Sequence, residues 1–122
     1  MSKIGEIKNL SKLIQPHIGI ITNIGEAHIE NFKNIKGIAK AKAEIINSIK
    51  KNGTVIIGMP TLESQKYASF LSKIGHVNCK NKYELKMFLY NFFTNVYMFS
   101  MNDEVIHTGF DKMSNYIFAV CN

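Results

Sequence analysis

The chain has 122 residues, a formal net charge of +6 and 46% hydrophobic residues, which suits one domain whose core needs neither disulfide nor metal to hold it together. Every strongly basic residue is a lysine and none is an arginine. That argues against a nucleic-acid surface, since phosphates and base edges are most often gripped by the bidentate guanidinium fork.

The first predicted element is a helix over residues 3 to 15, where Ile4, Ile7, Leu10, Leu13 and Ile14 recur three and four apart and Pro16 ends the pattern. The apolar, β-branched run from His17 to Ile24 then reads as a strand buried on both faces, as in a parallel sheet. A second helix is expected from about Asn34 to Ser48, with Ile35, Ile38, Ala39, Ile45, Ile46 and Ile49 as its inward stripe and Lys50 to Gly53 as its stop. Thr54 to Ile57 is a second buried strand, so the order α-β-α-β implies a crossover between parallel strands. Further helices are expected over Pro60 to Ile74, with Thr61 as N-cap and Tyr67, Phe70 and Leu71 inward, and over Tyr83 to Phe93. A short strand at His76 to Cys79 lies between them. Val96 to Met101 and Glu104 to His107 flank a polar turn and suggest a hairpin, and Tyr116 to Cys121 is an apolar run that fits strand or helix. Cys79 and Cys121 have no zinc or disulfide spacing and read as reduced core thiols. No stretch approaches the ~20 apolar residues of a membrane span, and MSKIGEIKNL lacks the apolar core of a signal peptide, so a cytoplasmic chain is expected.

The candidate chemistry gathers just past the first strand, at the carboxyl end where open α/β sheets place their ligands. Asn23, Glu26, His28 and Glu30 stand there within eight residues. Taken alone, His28 reads as a surface imidazole and Lys40 and Lys42 as solvated helix lysines, and two glutamates in one loop are common by accident. His17, His76 and His107 have no partners at metal spacing and read as structural. The aromatic cluster Phe88, Tyr90, Phe92 and Phe93 is either core or a partner surface.

The run TNIGEAHIENFKNIKGIAKAKAEI, with Gly5-Glu6-Ile7 before it, resembles the central domain of the Mur ligases and within them the branch that adds D-alanyl-D-alanine to UDP-N-acetylmuramoyl-tripeptide. The resemblance covers about residues 1–57. It implies an α/β fold, a partial and mostly parallel sheet flanked by helices like the back half of that domain, in a single partial domain of residues 1–122 whose part from 58 onward is a divergent α/β continuation. The activity it implies is ATP-dependent amide formation through an acyl phosphate. ATP and Mg2+ are the implied cofactors, and UDP-muramoyl-peptide and D-Ala-D-Ala the family's substrates.

By the same resemblance, His28 matches a histidine that contacts magnesium and Lys42 a lysine that becomes carbamylated, with Lys40 as competitor. Asn23 and Glu30 are expected to line the nucleotide site, and Glu6 to start a helix where a carboxylate suits the dipole. No GxxxxGK[ST] occurs in the sequence, so the backbone cradle for ATP phosphates is missing. Where the family carries an asparagine and aspartates after the second strand, this chain has Gly58-Met59-Pro60. The expectation is a ligase fragment, inactive unless a second polypeptide supplies the phosphate loop; the alternative is a non-catalytic remnant or a small protein-interaction module.

Overall fold

The computed structural model describes residues 3–23, 29–76 and 78–122. The fold is α/β, with five strands in one sheet and helices packed against it. In chain order come α1 (Glu6–Ile14), β1 (Ile18–Ile21), α2 (Ile35–Ala43), β2 (Thr54–Pro60), α3 (Phe70–Gly75), α4 (Lys82–Leu89), β3 (Val96–Asn102), β4 (Val105–His107) and β5 (Tyr116–Cys121). The sheet order is β1-β2-β5-β3-β4. The β1/β2 pair is parallel, with Ile18 opposite Thr54, as the α-β-α-β order predicts. The share of parallel pairing is smaller than expected: β5 runs antiparallel to both β2 and β3, and β3 to β4. The cause is the undecided last run, which becomes the central strand and returns the chain between β2 and the hairpin.

The two faces of the sheet differ. Alternate residues of a strand point to opposite faces, and the register puts Val55, Ile117, Ala119, Cys121 and Val96 on one side, all buried. Leu85 and Leu89 of α4 complete this core, with Ile46 and Ile49 after α2, and Phe93 after α4, packed against it. Gly19 belongs to the same face because a Cβ there would stand 2.6 Å from Cδ1 of Ile49; the missing side chain lets the segment after α2 lie on β1. The opposite face is open. Ile18, Ile20 and Tyr97 are each 58% exposed, beside half-buried Ile56, Phe99, Phe118 and Val120. Phe99 and Phe118 stack there at 5.2 Å.

β1 therefore differs from the expected strand covered on both faces, because it is an edge strand with one bare side. The chain exposes 8245 Å², where a compact monomer of its mass would expose about 6,600 Å². α1 departs in the same way: Leu10, Leu13 and Ile14 of its apolar stripe are exposed and its buried residue is Ser11.

Local signals explain most element boundaries. Asn34 caps α2 by accepting from the Gly37 amide at 3.1 Å, and Asn81 and Glu84 form a reciprocal capping box on α4. α2 stops at Ala43, sooner than the expected Ser48, and a 3-10 turn over Ile46–Ser48 follows. The long helix expected from Pro60 does not form. β2 continues through Pro60 because β5 pairs with it that far, and Thr61 accepts from the Ser64 amide where a short 3-10 turn begins. Ser69 then caps the short α3. Tyr67, Phe70 and Leu71, expected inward, are exposed. The strand expected at His76 to Cys79 is replaced by one bridge between Thr61 and Lys80, with Val77 outside the described residues. The hairpin forms with Asp103 and Glu104 as its turn, Asp103 taking a positive φ of 52°. Phe88, Tyr90 and Phe92 are surface residues, while Phe93 reaches the core.

Candidate functional site at the carboxyl end of the parallel pair

β1 and β2 deliver their carboxyl ends side by side, and α2 follows β1 back across them. A recess of about 160 Å³ opens beside the end of β1, bounded by Ile7, Ile20, Ile21, Asn23, Lys42 and Ile45. Lys42 projects into it and its Nζ donates to the Asn23 carbonyl at 2.5 Å. These walls are mainly aliphatic, and burial lowers the Lys42 pKa from the usual lysine value. Lys40, two residues earlier and so on another side of the helix, is exposed and lines a separate groove with Glu44 and Lys8.

A second cavity, of about 250 Å³, lies between α2, the end of β2 and the 76–79 segment. Asn23 and Lys36 reach it, but Ile21, Ile57, Met59 and Pro60 make most of its wall. His76 lines it too, with Nδ1 held within 2.9 Å of the Ser72 carbonyl, which keeps that imidazole structural. Cys79 has its thiol pKa raised by burial, and the buried Cys121 thiol is pushed up to about 11; both cysteines are free.

The structure thus brings Asn23 and Lys42 together and leaves Glu30 apart from them. Glu30 sits exposed in a 3-10 turn, accepting from Asn31 Nδ2 at 3.1 Å, and lines neither recess. His28 and Glu26 lie outside the described residues. Among the described residues no group of three His, Cys, Asp or Glu side chains could hold a metal ion. Those residues do not by themselves fit magnesium, which demands near-octahedral oxygen ligation.

Two contacts had no signal in sequence spacing. Glu44, just past α2, accepts from the amides of Gly5 at 2.6 Å and Lys8 at 3.0 Å, so the end of α2 caps the start of α1 from 36 residues away or more. Tyr116 of β5 donates its hydroxyl to the Thr22 carbonyl, one residue before Asn23.

A parallel βαβ unit with side chains converging at the carboxyl ends of its strands defines an α/β domain of the ligand-binding type. The family model for the Mur ligase middle domain matches residues 1–121, and the chain belongs to that family. It is similar to the UDP-N-acetylmuramoyl-tripeptide--D-alanyl-D-alanine ligase of Bacillus subtilis, 41% identical over 87 residues, covering 70% of this chain and 19% of the relative. The ligase of the same name from Buchnera aphidicola (Acyrthosiphon pisum) is 42% identical over 77 residues, 63% of this chain and 16% of the relative. That of Rickettsia prowazekii is 35% identical over 95 residues, 74% and 21%. The chain thus spans about a fifth of the length of these relatives. No solved structure matches. No helix among the described residues is long and apolar enough to cross a membrane.

Proposed function

We propose that this chain supplies the back half of the ATP-using domain of a ligase that adds D-alanyl-D-alanine to UDP-N-acetylmuramoyl-tripeptide, and that it works only when joined by a second polypeptide carrying the phosphate loop. The observation that carries this reading is the half-buried Lys42 amine, aimed at the exit of β1 beside Asn23. A lysine whose charged form is disfavoured by burial holds more neutral amine, the form that adds to carbon dioxide and releases a proton to become a carbamate. Lys40 is exposed and lines a separate groove, away from the end of β1. ATP and magnesium belong to the assembled enzyme in this reading, with His28 as a magnesium contact, Asn23 and Glu30 lining the nucleotide site and the remaining ligands coming from the other chain. The bare sheet face and the free edge of β1 are where that chain would dock, since a sheet with parallel strands is normally covered on both sides.

The test is to mix the chain with a phosphate-loop polypeptide from a Mur ligase and measure ATP-dependent D-alanyl-D-alanine addition. Product from the mixture alone, lost with Lys42→Ala, is the expected result. A stable complex that makes no product would overturn it.

A second reading, a non-catalytic remnant or interaction module, draws on the exposed pair Phe88 and Phe92, whose rings lie 5.3 Å apart with Lys80 Nζ 5.7 Å from Phe88. Partner binding that Lys42→Ala leaves unchanged would favour it.

A further inference from the structure

Thr22 and Asn23, which follow β1, are held by two side chains 74 residues apart in the chain. Lys42 of α2 binds the Asn23 carbonyl, and Tyr116 of β5 binds the Thr22 carbonyl next to it. β5 is not a neighbour of β1, because β2 lies between them. Strands in a sheet are about 4.8 Å apart, so β1 is about 10 Å from β5 and a tyrosine spans the gap only by laying its ring across β2. The position beneath the ring is Gly58. A Cβ there would stand 2.8 Å from both Cε1 and the hydroxyl oxygen of Tyr116. Tyr116 pairs with Pro60 and Phe118 with Gly58, so Tyr116 and Gly58 are diagonal neighbours on one face, the arrangement in which aromatic side chains still reach. Gly58 stands where the resemblance leads one to expect a polar side chain, and its emptiness is what admits the ring.

We propose that Tyr116 is a positioning residue: lying over Gly58, it fixes the Thr22–Asn23 segment so that the Asn23 carbonyl meets Lys42. The inference deepens the ligase reading by naming what orients its lysine, but the geometry it describes exists in the isolated chain. The hydroxyl and the ring have separable parts. The hydroxyl holds the carbonyl, and the ring fills the space over Gly58.

The test is carbonyl and side-chain NMR of the isotopically labelled full chain, with no nucleotide or partner present. Tyr116→Phe keeps the ring and removes the donor. The expected result is displacement of the Thr22 and Asn23 carbonyl carbons together with the Lys42 ε-methylene signal, while the amides of the β2/β5 ladder stay in place. Gly58→Ala, which lifts the ring but keeps the hydroxyl, should displace the same three signals. If Tyr116→Phe moves only Thr22 and leaves Asn23 and Lys42 where they were, the tyrosine merely decorates the strand end and the proposal is overturned. Should Gly58→Ala fail to fold, Tyr116→Phe decides alone. Because nothing in this readout needs ATP or a second polypeptide, failure to reconstitute a ligase leaves the proposal standing, and failure here leaves the ligase reading standing.

Discussion

The covered and the open face of the sheet are built from the same kinds of residue, yet only one of them is a core. On the covered face Ile117 is 1% exposed and Ala119 fully buried; on the open face Ile18, Ile20 and Tyr97 are mostly in solvent. Isoleucine and tyrosine in a strand declare which side they share with their neighbours, since side chains alternate with a period of two. They do not declare that anything covers that side. The open apolar face adjoins an edge strand, Ile18–Ile21, that contains no lysine or proline to block pairing.

The comparison can be broken by substitution. The largest effect is expected for Ile117→Ala, which removes a fully packed side chain beneath α4 and should cost about 2–5 kcal/mol in urea unfolding; a loss below about 1 kcal/mol would mean the covered face is not a tight core. Glu44→Ala is next. It strips the caps from Gly5 and Lys8 and should cost about 0.5–2 kcal/mol, with amide exchange rising in α1 and not in α4. Ile20→Ser on the open face should change the stability of the isolated chain by less than about 0.5 kcal/mol, and the same variant should weaken docking of a complementing polypeptide.

The smallest effect concerns the surface pair Lys82 and Asp111, 2.9 Å apart. The hydrogen bond from Lys82 lowers the Asp111 pKa; burial opposes it as the next-largest influence, and the Lys82 charge, the Ser100 hydroxyl and the charge of His107 add to the lowering. A carboxyl with a depressed folded pKa adds stability that is present above its unfolded value and lost as pH falls through the folded one. Because Asp111 is largely exposed, the ion-pair part of the Lys82→Ala cost should be less than about 1 kcal/mol at neutral pH, less still in high salt, and absent in acid below both pKa values, where only the loss of the Lys82 bond to the Thr108 carbonyl remains.

Much of the local architecture was legible in the residues. Asn34 announces the start of α2, the β-branched runs announce β1 and β2, and the polar pair between two apolar runs announces the hairpin. What was hidden is what long-range contacts decide. The helix expected after Pro60 yields to a longer β2 because β5, some 60 residues on, pairs with Met59 and Pro60. The apolar stripe of α1 is real, but periodicity cannot say whether a layer lies on it. Of the candidate site, Asn23 at the strand end was readable from the residues, whereas Lys42 was singled out by the resemblance alone and read as a solvated helix lysine without it. The reach of Tyr116 to Thr22, 94 residues apart, was not readable, because no periodic pattern links a side chain to a carbonyl two strands away. Glu30 lies in an exposed 3-10 turn that lines neither recess, a placement that its proximity to Asn23 in sequence does not reveal.

The most direct test of the account is hydrogen–deuterium exchange on the chain alone and after addition of a phosphate-loop polypeptide from a Mur ligase. Protection gained along Ile18–Ile21, with α4 unchanged, is the predicted result, because a new strand would occupy the free edge of β1 and cover the open face. If the added polypeptide binds and the β1 amides exchange as fast as before, the open face is not where the rest of a ligase docks.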